Sequence, residues 1–135
     1  MKFMNKFIKR ISKSKKNIRN ILVVGTGWGK LPNLCDGFAS VFIISTEAQD
    51  FRRKNLIYKE NFDQLNSLPD IDAIIIDRNQ DMHVPKLLPL LQKYQSIILV
   101  EGVELFNKPE YKLLKTHGYA VTEMFGDSHL WKKIN

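Results

Sequence analysis

A chain of 135 residues with one cysteine and a formal charge of +7 has room for one domain with a proper core. Its single Cys35 excludes an intramolecular disulfide and a cysteine-built metal cluster, and it fits a reducing, cytoplasmic compartment. No apolar run approaches the roughly 18 residues that would span a bilayer.

The charge is divided unevenly. Lys2, Lys6, Lys9, Arg10, Lys13, Lys15, Lys16 and Arg19 place eight positive charges and no acid in residues 1–20, which leaves 13 basic against 14 acidic residues in the remainder. A nucleic-acid surface running over the whole domain needs Lys and Arg spread across the fold, so this distribution argues against one. Two units follow: a basic amphipathic segment, 1–19, and a nearly neutral body, 20–135. In the first, Phe3, Met4, Phe7, Ile8 and Ile11 fall on one helical face. Four uses of it stand open: contact of residues 2–16 with an anionic membrane surface, a helix folded onto the domain's own sheet, a basic arm for nucleic acid, or, with Ser12, Ser14 and no acids, a targeting peptide.

The body opens with Ile21-Leu22-Val23-Val24, an apolar run too short for a buried helix, which stops at Gly25-Thr26-Gly27-Trp28-Gly29. A buried parallel strand delivers its backbone in this way into a tight turn beneath a nucleotide-like ligand. Glycine takes φ > 0 and lets a ligand approach the main chain. The plain alternative is a strand-to-helix turn with no ligand, and Trp28 either covers a ligand there or plugs the space under the loop. Strands are expected at 21–25, 41–45, 56–59, 72–77, 96–101, 119–124 and 129–134. Helices are expected at 30–38, 47–54, 62–67, 84–94 and 108–116. Pro85 suits an early helical turn, and Gly118 stands where a helix-terminating glycine belongs. Connections of this length force parallel strands. Only Phe125-Gly126-Asp127-Ser128 separates the last two, so these run antiparallel.

This order of elements resembles class I S-adenosylmethionine-dependent methyltransferases over about residues 20–135. The resemblance implies a three-layer Rossmann-like sandwich, a mostly parallel seven-stranded sheet with an antiparallel last strand. It also implies a cofactor, S-adenosyl-L-methionine, held at Gly25, Thr26, Gly27, Trp28 and Gly29, with Ser45 and Glu47 at the ribose and Asn61 and Phe62 at the adenine. Asp77 would face the methyl group. Three features depart from the family pattern: Val23 replaces an acid before the loop, Ser45 leaves Glu47 to supply the ribose carboxylate, and no segment is evident to cap a substrate. Glu47 follows Gly27 by 20 residues, close to the spacing of a ribose-binding acid.

A second resemblance is to the nucleotide domain of glucose–fructose oxidoreductase-type dehydrogenases. It rests on Asp70–Ile76, Asn79, His83, Pro85 and Ile98–Glu101, with Arg52, Arg53 and Lys54 available to a 2′-phosphate of NADP. Lys30 in place of a third spaced glycine, Gly102-Val103 after Glu101, and the lack of a second domain count against it.

Among candidate catalytic residues, Asp77 ends an apolar strand on the edge where open α/β sheets bind ligands, as cofactor contact, general base or simple cap. Asp81 and His83 follow in a loop on the same edge. Asp-x3-Asp-x-His has no firm metal-ligand spacing, and no metal site is expected. His117 suits a helix C-terminus, His129 packs beside Trp131, and Cys35 is buried in an apolar helix. The expectation is a minimal methyltransferase for a small or exposed acceptor. A non-catalytic Rossmann-type scaffold is the alternative.

Overall fold

The computed structural model describes residues 18–25, 31–45, 50–77, 80–94, 97–101, 108–125 and 128–134. Seven strands follow in chain order: β1 (Asn20–Val24), β2 (Ser40–Ile44), β3 (Leu56–Lys59), β4 (Ala73–Ile76), β5 (Ile97–Glu101), β6 (Tyr119–Phe125) and β7 (Ser128–Lys133). Among the described residues, three helices, α1 (Leu31–Gly37), α2 (Val84–Tyr94) and α3 (Pro109–Thr116), and two 3₁₀ segments, Phe62–Ser67 and Asp81–His83, lie between them.

The sheet order is β3-β2-β1-β4-β5-β7-β6. Strands β1 to β5 pair in parallel, and β7 is antiparallel to both β5 and β6. The expected Rossmann-like sandwich with an antiparallel last strand is therefore the fold. The insertion of β7 between β5 and β6 comes only with the structure.

Side chains alternate across each strand and build two cores. Leu22, Val24, Phe42, Ile44, Ile74, Ile76, Ile98, Val100 and Trp131 meet Leu65 and Leu68, the α2 residues Val84, Leu87, Leu90 and Leu91, and the α3 residues Tyr111 and Leu114. On the other face Ile21, Val23, Val41, Ile43, Ala73, Ile75, Ile97, Leu99 and Leu130 join Leu31, Leu34 and Cys35 of α1 and Phe38 after it.

Two expected helices differ. Of the span 47–54, the described residues 50–53 have no regular structure and Lys54 lies in a turn. The Phe51 carbonyl there accepts from the Tyr58 hydroxyl at 2.6 Å and from Arg52 Nη1 at 2.9 Å, while its side chain packs into the α1-side core. Side-chain hydrogen bonds and burial thus replace a helical ladder. The span 62–67 is a 3₁₀ segment, in which Asn61 Oδ1 accepts from Asp63 N, Gln64 Oε1 from Glu60 N, and the Gln64 carbonyl from Ser67 Oγ. Polar side chains so close to their own backbone favour short turns over propagated helix.

Candidate functional site

The strand order reverses between β1 and β4, and open α/β sheets bind ligands in the crevice at such a point, beyond the carboxyl ends of the strands. The register shows what stands there. Val24 pairs with Ile44 and with Ile76, and Ile76 with Val100. One residue further lie Ser45, Gly25, Asp77 and Glu101, and Glu101 pairs with Ser128. The apolar ladder of four adjacent strands ends at one level, where Val100 pairs with His129 of β7, and the next level is Ser45, Gly25, Asp77, Glu101 and Ser128. Two hydrogen bonds carry the ladder onto this level, Gly25 N to the Ile44 carbonyl at 2.8 Å and Asp77 N to the Val24 carbonyl at 3.0 Å.

Gly25 and Asp77 are packed together. Gly25 has φ +124°, a conformation that L side chains rarely adopt. A methyl group on Gly25 would stand 2.5 Å from Asp77 Oδ2 and 2.6 Å from its Cβ and Cγ. The carboxylate is 6% exposed. A side chain is therefore excluded at Gly25 twice, by backbone angle and by the acid beside it. The sequence shows the glycine and the acid but not that they touch.

A second pair joins the loops after β3 and β4. The rings of Phe62 and His83 stack with centroids 4.8 Å apart and planes at 29°, and Lys86 Nζ lies 5.3 Å from the Phe62 centroid. Asn61 is exposed, with its side-chain oxygen engaged as the cap of the 3₁₀ segment. Ser45 is half-buried directly after β2, and Asp81 opens the turn that ends at His83. Thr26, Gly27, Trp28, Gly29 and Glu47, together with residues 2–16 and Asn79, lie outside the described residues.

Arg52, Arg53 and Lys54 precede β3 and so stand at the opposite, amino edge of the sheet. Arg53 pairs with Asp36 at 2.6 Å, and Arg52 lies over the Tyr58 ring at 4.8 Å. This placement corrects their expected use on a 2′-phosphate at the carboxyl edge.

The other histidines have structural positions. His117 caps α3, its Nδ1 2.9 Å from the Leu113 carbonyl. His129 is fully buried, and its Nδ1 accepts a 2.5 Å hydrogen bond from Trp131 Nε1, which places the ring proton of the neutral imidazole on Nε2. Tyr111 stacks on Trp131 at 5.8 Å and meets His129 edge-on at 5.6 Å. Cys35 is buried, and burial pushes its thiol pKa up, against the opposing pull of nearby Arg53.

Sequence reasoning passed over Ser128. It is fully buried, and its hydroxyl has no hydrogen-bond partner among the described residues. Its position between two strands joined by a short turn was readable, but its level beside Glu101 depends on β7 pairing with β5.

The architecture is that of class I S-adenosylmethionine-dependent methyltransferases. No family model matches the chain, and no curated protein sequence does. Among solved structures, MycE methyltransferase of the mycinamycin biosynthetic pathway, in complex with Mg and SAH, superposes with a TM-score of 0.68 at 11% identity, over 97% of this chain and 46% of that one. The ribosomal protein L11 methylase of Lactobacillus delbrueckii subsp. bulgaricus gives 0.68 at 14% identity, over 98% and 77%. Precorrin 8w decarboxylase of Methanobacterium thermoautotrophicum gives 0.60 at 14%, over 96% and 90%. The chain thus spans a little under half the length of MycE. Identities this low establish the fold.

Proposed function

We propose that the protein binds S-adenosyl-L-methionine at the carboxyl edge of β1, β2 and β4 and transfers its methyl group to a small or exposed acceptor. The observation that carries this reading is the Gly25–Asp77 contact: a positive-φ glycine held against a buried carboxylate at the strand-order reversal. A backbone conformation open only to glycine is kept where the surrounding structure requires it, and close approach of a ligand to the main chain is one such requirement. The SAH in the MycE structure supports the choice of cofactor.

The residues present fit that group. The backbone of Gly25, Thr26, Gly27, Trp28 and Gly29 would hold its amino-acid end, Ser45 and Glu47 the ribose, and Asn61 and Phe62 the adenine. His83, turned against Phe62, belongs to the adenine wall in this reading, which leaves Asp77 and Asp81 nearer the methyl group. S-adenosylmethionine supplies an electrophilic methyl when bound. The protein's own work is positioning: Asp77 orients the donor, and the edge from β4 to β7 sets the direction of attack. Holding two reactants in line supplies much of the rate without a dedicated nucleophile.

A second reading, a non-catalytic Rossmann-type scaffold, draws on Val23 and Ser45, where the resembling family carries acids. The fold relative from Methanobacterium thermoautotrophicum is named a decarboxylase, so shared architecture does not fix a reaction.

Calorimetric titration separates these readings. S-adenosylmethionine or its demethylated product should bind in the micromolar range, and NADPH at least tenfold more weakly, about 1.4 kcal/mol. Asp77→Asn should weaken cofactor binding tenfold or more with the melting temperature nearly unchanged. Tighter NADPH binding overturns the proposal in favour of a dehydrogenase-like domain, and binding of neither ligand favours the scaffold.

A further inference from the structure

His129 is a titratable group that methyl transfer at the edge of β1, β2 and β4 does not use. It is 0% exposed, as are Tyr111 and Trp131 beside it. In β7 it stands opposite Val100 of β5 and Met124 of β6. Trp131 follows two residues along the same strand, so its ring and the imidazole share one face of the sheet. Trp131 and Tyr111 both join the core built with α2 and α3. Three rings meet there, His129 with Tyr111 at 5.6 Å, His129 with Trp131 at 5.7 Å and Tyr111 with Trp131 at 5.8 Å.

An indole nitrogen only donates. The 2.5 Å contact from Trp131 Nε1 to His129 Nδ1 therefore requires an Nδ1 without a proton, and the imidazole is neutral. A second proton would set N–H against N–H and break this bond. It would also place a cation in a site closed to solvent, which burial disfavours. Cation–π attraction to the two neighbouring rings offsets part of that cost but does not restore the indole's acceptor.

The charged residues of the surrounding elements are few. Glu101 of β5 and Glu123 of β6 pair with Ser128 and Leu130, the residues on either side of His129. On α3, Tyr111 is accompanied by half-buried Glu110 and exposed Lys112 and Lys115, and on α2 Lys86 and Lys93 are exposed. Lys132 and Lys133 continue β7 and are half-buried.

We propose that His129 is an acid-sensitive latch: its protonation breaks the bond to Trp131 and loosens β7 against β5 and β6, the strands that carry Ser128 to the carboxyl edge. A histidine in an unfolded chain takes up its proton near pH 6.5, roughly. The folded chain resists that uptake, so below this pH the unfolded state binds more protons. The latch is closed above about pH 6.5 and weakens as the pH falls below it.

Melting and hydrogen exchange of the full-length chain test this. From about pH 7.5 to about pH 5.5, on either side of the ordinary histidine value, the parent should lose about 3 °C or more of melting temperature beyond any loss in His129→Asn. The asparagine amide oxygen accepts from Trp131 without titrating. His117→Asn should keep the parent's decline. After correction for intrinsic exchange rates, the amides of Ile98–Val100 and His129–Trp131 should exchange several-fold faster at the lower pH, while those of Ile21–Val24 keep their protection. A decline in His129→Asn as steep as the parent's overturns the proposal, and so does an equal loss of protection in every strand. If the variant fails to fold, nitrogen spectra of the histidines in the parent chain decide. A proton on His129 Nδ1 at neutral pH overturns the latch. An Nδ1 still unprotonated at about pH 5.5, where an unhindered histidine is mostly cationic, supports it.

Discussion

At the amino edge of the sheet, polar groups close on one another. Asp72 accepts two main-chain N–H groups, Asn20 Nδ2 donates to the Asp70 carbonyl, and Asn55 Nδ2 donates to the carbonyls of Cys35 and Phe38, at 2.8 and 3.0 Å. These bonds tie the entry of β1, the end of α1 and the approach to β3 into one frame. The carboxyl edge has a different composition. A positive-φ glycine is packed against a buried acid, and Glu101 and Ser128 continue the level on β5 and β7. Polar residues at the first edge join chain segments. At the second they interrupt an otherwise apolar ladder, where the doubly wound fold receives ligands.

Substitution at each edge sharpens this contrast. The largest expected effect is at the carboxyl edge. Gly25→Ala forces an L residue into φ +124° and a methyl into Asp77. Strain of about 1–3 kcal/mol and overpacking of similar size should lower stability measurably in denaturant titration and abolish cofactor binding together. A variant that melts like the parent would show that Asp77 moves aside freely, and the wedge would lose its meaning.

At the amino edge, Asp72→Ala leaves the Arg19 and Asn20 N–H groups without their acceptor. A loss of about 1–2 kcal/mol is expected, with cofactor affinity unchanged. A large fall in affinity with intact stability would break the separation of the two edges.

The smallest effect is a pH dependence. Tyr119 begins β6 at the amino edge, and burial pushes its phenol up to about 12, against an ordinary value of 10. As pH rises past about 10, the unfolded chain ionises its tyrosine while the folded chain keeps the proton. Stability is therefore complete below pH 10 and falls as the pH approaches 12. Buried Cys35, also shifted upward, acts in the same direction. Melting curves should show a modest decline in this window that Tyr119→Phe reduces.

Much of this architecture is legible in the local sequence. Ile21–Val24, Val41–Ile44 and Ala73–Ile76 are apolar without alternation because both faces of a central parallel strand are buried. The four residues between Met124 and His129 allow only a tight reversal. The span 47–54 misleads because its described part is set by contacts with Tyr58 and the α1-side core, which local propensity does not contain. Within the candidate site, Gly25 and Asp77 are readable as types, a turn glycine and a strand-end acid. Their contact joins residues 52 positions apart in the sequence and requires β4 to pair with β1.

The sequence by itself determined the seven strands and their order along the chain, three of the helices, the basic character of the first twenty residues and a glycine, Gly25, at the end of β1, because propensity, apolar period and charge are local. Tertiary structure alone decided that β7 enters between β5 and β6, that Phe62 meets His83, and that Arg52, Arg53 and Lys54 stand away from the ligand edge. Each of these depends on which strands share hydrogen bonds, and that choice is made by burying both faces of the whole sheet at once.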